Sequence, residues 1–323
     1  MNILISNDDG VFAPGILAAK QAVEDLANVT VVAPDENNSS VGRRISLFKH
    51  LKIADCKLED GSTAYSISGS PADAVIVGAN YVMDEKPDLV ITGINSGVNI
   101  SCDITSSGTV CAAFEAVSLG IPAIAASLFI DPKTSYKQDD NGEWYLDYDF
   151  DLAKKVLHDL VLKIIEEGFP QGVDLFNLNV PSNYESEDVK ITHLSDKILD
   201  KKVIDNTDEE KAEIFNYPLQ ENQSSDDLIM ITSNLVQEYE PGSDGYALFV
   251  EKRPSLTPLK ADMTCLELND WWCMTLKKRK IFGLYCIPCR DINPWNQPYG
   301  PSNPFGSIER DIGANQIGLR NLN

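Results

Sequence analysis

Short apolar runs alternate with amphipathic stretches through the first third of the chain. Met1 to Ser6, "MNILIS", predicts a buried strand. "PGILAAKQAVEDLAN" predicts a helix with Pro14 at its first position. "VTVVAP" is apolar and β-branched, as a parallel strand covered on both faces must be. After the loop "DENNSSVGRR" come two expected strands, "ISLFKHLKI" and "TAYSISG". "SPADAVIVGANYVM" predicts a helix opened by Ser-Pro, "DLVITG" a strand, "GTVCAAFEAVSLG" a helix ending at Gly120, and "IPAIAAS" a strand. Strands and helices in strict alternation define an α/β protein with a doubly wound sheet.

Beyond Leu128 the rhythm loosens. "YKQDDNGEWYLDYDFD" predicts an acidic loop leading into a helix from Asp151 to Glu167, and "VDLFNLNVP" a strand closed by Pro181. Residues 200–227 are dense in Asp, Glu, Lys and Asn and predict a solvated excursion. "DGYALFVEKRPSLTPLKADM" predicts two strands joined by a turn, a C-terminal β-hairpin. Asp291 to Asn323 is rich in Pro, Asn and Gly and predicts an extended tail.

Composition adds limits. With 323 residues and 43% apolar content, the chain can bury a large core. It has no apolar run of the ~18 residues a membrane span needs, and its N-terminus lacks the basic flank of a secretory signal, so a cytoplasmic location is expected. A net charge of −22 argues against nucleic-acid polymers as partners, and it obliges any anionic substrate to find a local cation or oriented N–H groups. The seven Cys are expected to be reduced thiols. Cys286 and Cys289 form a CxxC pair that would need Cys265 and Cys273 to complete a zinc site; neither a metal site nor a required disulfide is expected there.

The candidate chemistry falls at strand ends, where ligands bind in open α/β sheets. Asp8 and Asp9 follow the first strand, "PDENNSS" follows the second, and "GINSGVN" follows "DLVITG". Asp8, Asp9, Ser39 and Asn95 offer oxygen donors only, which suits a hard divalent ion such as Mg²⁺ or Mn²⁺. Such an ion would also relieve the repulsion between adjacent carboxylates. Ser107, Gly108 and Thr109 open a helix, so free N–H groups and two hydroxyls can form an anion pocket that Gly108 lets a phosphate approach closely. Each cluster alone also has a plain structural reading: "DDG" as a turn, Ser-Gly-Thr as a cap, Asn95 as a loop bridge. The three His lie away from these strand ends, which argues against a His-based zinc site or a Ser-His-Asp triad.

The blocks "ILISNDDGVFAPGI", "VVAPDENNSS", "ISGSPADAV", "PDLVITGINSGVN", "SSGTVCAAFEA", "LFNLNVP" and "DGYALFVEKRPSLTPLKADM" together resemble the SurE (survival protein E) family of metal-dependent nucleotidases and acid phosphatases. The resemblance implies a Rossmann-like core over residues 1–130 within a domain of residues 1–290, with a C-terminal part (131–290) carrying an oligomerisation arm, followed by the tail 291–323. It implies one divalent metal (Mg, Mn or Co) on Asp8, Asp9, Ser39 and Asn95, with Asp8 and Asp9 catalytic. It implies phosphate contacts from Asn95, Ser107, Gly108 and Thr109. Expected substrates are nucleoside 5′- and 3′-monophosphates and short polyphosphate, and the expected assembly is a homodimer or homotetramer with its C-terminal arm exchanged. Ser106 stands where many members carry an aromatic residue. A non-catalytic nucleotide-binding scaffold and a nucleotide-sugar transferase are the competing readings; the intact donor set argues against the first, the lack of a second Rossmann-like half against the second.

Overall fold

In β1 (Asn2–Ser6), Ile3 and Ile5 point to one face and Leu4 to the other, and all three are fully buried. That is the signature of a strand covered on both sides. The computed structural model describes residues 1–131, 135–138, 144–196, 199–205, 229–235 and 238–264. After β1 come α1 (Pro14–Val23), β2 (Asn28–Pro34), β3 (Ile53–Lys57), β4 (Thr63–Ile67) and α2 (Pro71–Val77). Next are β5 (Leu89–Ser96), α3 (Gly108–Ser118), β6 (Ala123–Phe129), β7 (Tyr136–Gln138), β8 (Trp144–Leu146) and α4 (Asp151–Glu167). The described chain ends with β9 (Leu175–Pro181), β10 (Lys190–Ile191), β11 (Leu199–Asp205), β12 (Ile229–Leu235), α5 (Asp244–Phe249) and β13 (Ser255–Leu259).

The main sheet has nine strands in the order β10-β13-β9-β6-β5-β1-β2-β4-β3. From β9 to β4 every pairing is parallel; β3 and β13 close the two flanks antiparallel, with β10 beyond β13. The core lies in two layers. α1 and α4 pack on one face through Ile16, Ala19, Val23, Leu157 and Val161. α2 and α3 pack on the other through Ala74, Val75, Val110, Ala113 and Ala116. From β1 the chain winds outward through β2 and β4, then returns to place β5 on the opposite side of β1. The reversal opens a crevice beyond the strand ends, between β1 and β5.

The doubly wound sheet, the Pro14 helix start and the helix from Asp151 to Glu167 match the sequence-based expectation. Three local readings need correction. "DGYALF" is a helix, not a strand: Ser243 Oγ accepts the Tyr246 N–H at 3.1 Å and caps it, and Asp244 occupies the first turn. Its expected hairpin partner, "SLTPL", instead joins the main sheet beside β9. "ISLFKHLKI" forms a strand only from Ile53; Leu47 and Phe48 lie exposed in the preceding turns. The acidic loop contains the small antiparallel pair β7–β8. The flanks of the polar excursion pair as an antiparallel ribbon, β11 with β12, while residues 206–228 lie outside the described residues. So do the four Cys from Cys265 to Cys289, the domain boundary at 290 and the tail. No helix among the described residues is long and apolar enough to cross a membrane.

Candidate functional site

Three strand ends and one helix start deliver the predicted residues to one crevice. A cavity of about 220 Å³ is lined by Asp8 and Asp9 beyond β1, Ser39 and Ser40 beyond β2, Asn95 and Ser96 at the end of β5, Val98 to Ile100 and Asp103 in the following turn, and Ser106 and Ser107 before α3. Among the described residues, three carboxylates and no basic side chain line it.

Asp8 is 4% exposed, and Thr109 Oγ1 donates to its Oδ1 at 2.5 Å. Burial pushes its carboxyl from an ordinary 3.8 up to about 6; the Thr109 hydroxyl pulls the other way and the Asp9 charge adds to the rise. Asp9 is half-buried, and burial raises it too, against the Ser96 N–H that donates to its Oδ2 at 3.1 Å. Asn95 reaches the cavity through a bulge. Between Thr92 and Asn95, β5 spans three steps where β6 spans the two from Ala125 to Ser127. Gly93 makes this possible, because its φ is +125° and a Cβ there would lie 2.1 Å from the Ala126 carbonyl oxygen. The Asn95 amide nitrogen donates to the Gly97 carbonyl at 2.9 Å, which leaves its Oδ1 as an acceptor.

Ser107 caps α3 by accepting the Val110 N–H at 3.1 Å. The N–H groups of Gly108 and Thr109 stand in the first turn without helical acceptors. The Thr109 side chain is fully buried and turned to Asp8, away from the cavity lining. Gly108 packs on Asp8: a Cβ there would sit 2.7 Å from both Cβ and Oδ2 of Asp8.

The far half of the chain buttresses residues 98–103, which form one wall of the cavity. Asn99 N–H donates to Asn179 Oδ1 at 2.9 Å, and its carbonyl accepts from Asn177 Nδ2 at 2.7 Å and Asn179 Nδ2 at 2.9 Å. Asp244, fully buried, accepts from the N–H groups of Ser101, Ser195 and Gly245 and from Ser195 Oγ. These donors offset the cost of burying its charge. Lys201 on β11 reaches Asp103 Oδ1 at 2.5 Å. Sequence reasoning did not single these residues out, although Asn99 lies inside "GINSGVN" and Asp244 opens "DGYALF".

The donor chemistry fits a hard divalent cation. Asp9 Oδ1, Asn95 Oδ1 and the Ser39 hydroxyl make no hydrogen bond among the described residues, and the Asp8 carboxylate is held by the Thr109 hydroxyl and by the backbone N–H groups of Asp8 and Thr109. No trio of His, Cys, Asp and Glu suited to a metal occurs among the described residues, so any ion here rests on two carboxylates supplemented by neutral oxygens. A larger groove of about 430 Å³ runs along α4, lined by Val156, Ile164, Phe176 and Leu256. On its rim Lys155 pairs with Glu187, Lys163 with Glu167, and Asp159 with the neighbouring His158.

Fold and crevice together define a doubly wound α/β protein with an oxygen-rich acidic site at its switch point, facing a helix N-terminus. The family model described as Survival protein SurE matches residues 3–201. A 5′-nucleotidase SurE from Methanosphaera stadtmanae is 36% identical over 272 residues, covering 84% of this chain and 99% of the relative. One from Methanothermobacter thermautotrophicus is 45% identical over 199 residues, 61% of this chain and 74% of the relative. The crystal structure of the SurE protein from Aquifex aeolicus superposes with a TM-score of 0.63 at 32% identity, covering 86% of this chain and 99% of that one. The chain belongs to the SurE family.

Proposed function

We propose that this chain is a metal-dependent phosphomonoesterase that removes phosphate from nucleoside 5′-monophosphates. The observation that carries this reading is the convergence of Asp8, Asp9, Ser39 and Asn95 on one cavity beside the α3 N-terminus. The relatives named 5′-nucleotidase SurE support the reaction class. Asp8, Asp9, Ser39 and Asn95 hold one Mg²⁺, Mn²⁺ or Co²⁺. Such an ion, when bound, would supply positive charge among the carboxylates and lower the pKa of a water. The Ser107 hydroxyl and the N–H groups of Gly108 and Thr109 hold the phosphate oxygens and stabilise the charge that builds on them. Asp8, locked by Thr109, acts as a fixed donor. Asp9, the more open of the pair, orients the attacking water and accepts its proton. Nucleoside 3′-monophosphates and short polyphosphate present the same terminal phosphate and are further substrates. The enzyme works in a reducing cytoplasm, in keeping with the free thiols of Cys56, Cys102 and Cys111.

Phosphate release from 5′-AMP tests the reading. EDTA abolishes it, and added Mn²⁺, Mg²⁺ or Co²⁺ restores it; release that continues at full rate in EDTA, or fails with every metal, overturns it.

The protein assembles as a homodimer or homotetramer, with β11–β12 in place of the "DGYALF" segment as the arm. A two-stranded ribbon is marginal alone. Its cross-strand pair Val203 and Ile231 is 62% and 75% exposed and calls for a neighbouring subunit. Val203→Glu/Ile231→Lys is expected to shift the mass in light scattering toward the monomer. An unchanged mass removes the ribbon from the interface.

A further inference from the structure

The loop that carries Ser39 is tied back on itself. Asn38, 8% exposed, donates its backbone N–H to the Asp8 carbonyl at 2.7 Å. Its own carbonyl oxygen abuts Gly108, 3.1 Å from where a Cβ would stand. Asn38 is thus wedged between Asp8 and the start of α3, and Ser39 follows it into the cavity. Its side chain is held at both ends. Nδ2 donates to the Glu36 carbonyl at 2.9 Å, and Oδ1 accepts from Arg44 Nη2 at 2.9 Å. Arg44 is itself anchored, because Ser70 Oγ donates to its carbonyl at 2.5 Å from the N-cap of α2. Gly42 N–H to the Ser106 carbonyl (3.0 Å) and Ser46 N–H to Asp73 Oδ1 (2.8 Å) fix the same segment on either side. Arg43 is committed elsewhere, to Glu115 at 2.7 Å.

We propose that Arg44 is a positioning residue: the Arg44–Asn38 hydrogen bond clasps the loop so that the Ser39 oxygen stays in register with Asp8 and Asp9. The proposal rests on the cation site described above. Its consequence has a sign that separates it from simple electrostatics. Arg44 adds a positive charge near a site that binds a cation, so charge alone predicts tighter metal binding once Arg44 is removed. The clasp predicts weaker binding, by about tenfold or more, the range seen when groups supporting a metal ligand are lost.

The test is Mn²⁺ binding to the purified, EDTA-stripped full chain, measured by calorimetry without substrate, for the parent, Asp8→Asn, Arg44→Met and Arg44→Lys. The expected result is that Asp8→Asn loses binding, Arg44→Met binds about tenfold more weakly, and Arg44→Lys, which can still donate to Asn38 Oδ1, recovers part of the loss. Arg44→Met with unchanged or tighter Mn²⁺ binding, while Asp8→Asn loses it, overturns the clasp and leaves the site standing. Equal binding by the parent and Asp8→Asn overturns the cation site itself. Arg44 is exposed, and a thermal melt of each variant confirms that folded protein is compared. If Arg44→Met does not fold, Arg44→Lys with Asn38→Ala serves in its place: the clasp requires this double variant to bind Mn²⁺ about as weakly as Asn38→Ala alone, and a further additive loss overturns it.

Discussion

Asp8→Asn is expected to lower phosphate release on the order of a thousandfold while making the metal-free protein more stable at pH 8. Burial raises the Asp8 carboxyl in the folded state from 3.8 to about 6. An unfolded chain keeps the ordinary value. Between the two, the folded state binds more protons than the unfolded one, so this group's contribution to stability falls as pH rises from about 4 to about 6. Above that window the full penalty persists, about 3 kcal/mol for a rise of this size. Asparagine has the same shape and no charge, and its Oδ1 can still accept from Thr109 Oγ1. The two proteins should therefore melt alike near pH 4 and diverge at pH 8, with the variant higher. Mn²⁺ should reverse the order by raising the parent's midpoint alone, since a ligand stabilises only the state that binds it. Melts of both proteins in EDTA and in Mn²⁺, at the two pH values, decide the matter. A parent at least as stable as the variant in EDTA at pH 8 would show that the charge carries no burial cost.

The same buried pair explains why much of this crevice could be read from the chain alone. Once strands alternate with helices, the polar residues just beyond each strand must gather at one sheet edge. Asp8, Asp9 and Ser39 lie beyond their strands and Asn95 at the end of its own, and all line the cavity. What escaped the reading depends on partners distant in sequence. Asp244 meets Ser101 across 143 positions, and the wall at Asn99 leans on Asn177 and Asn179 nearly eighty residues away. No spacing rule links them. "DGYALFV" misled for a different reason. Its Tyr, Phe and Val favour strands, but Ser243 and Asp244 supply a cap and a first-turn charge, and Ala247 and Leu248 find buried places. "ISLFKHL" has a strand's composition, yet the ties from Gly42 to Ser106 and Ser46 to Asp73 hold the segment in turns. Tertiary context overrode local preference at both places.

Gly108→Ala should cost metal binding as well as turnover, and this separates two roles for the glycine. If Gly108 only lets phosphate come close to the backbone, a methyl there obstructs substrate and leaves the ion's donors untouched. The packing points to a second role. A Cβ would lie 2.7 Å from Asp8 Cβ, 2.7 Å from Asp8 Oδ2 and 3.1 Å from the Asn38 carbonyl oxygen. Two of these three atoms cannot swing aside: Asp8 Cβ is bonded directly to the main chain, and the Asn38 oxygen is main chain itself. Gly108 opens α3 with helical backbone, a conformation that alanine adopts without strain, so the conflict is purely one of space. Relief requires α3, the Asp8 turn or the Asn38 loop to move by a few tenths of an ångström or more, at about 1–3 kcal/mol for an overpacked site. Any of these shifts alters the distance between the oxygen donors and the N–H groups of the first α3 turn, and two of them move a donor directly. The expected result is Mn²⁺ affinity lowered about tenfold, kcat/KM lowered about a hundredfold, and a reduced melting temperature. Mn²⁺ affinity equal to the parent's, with only KM for 5′-AMP raised, would assign Gly108 to phosphate approach alone and remove the interlock between Asp8 and α3.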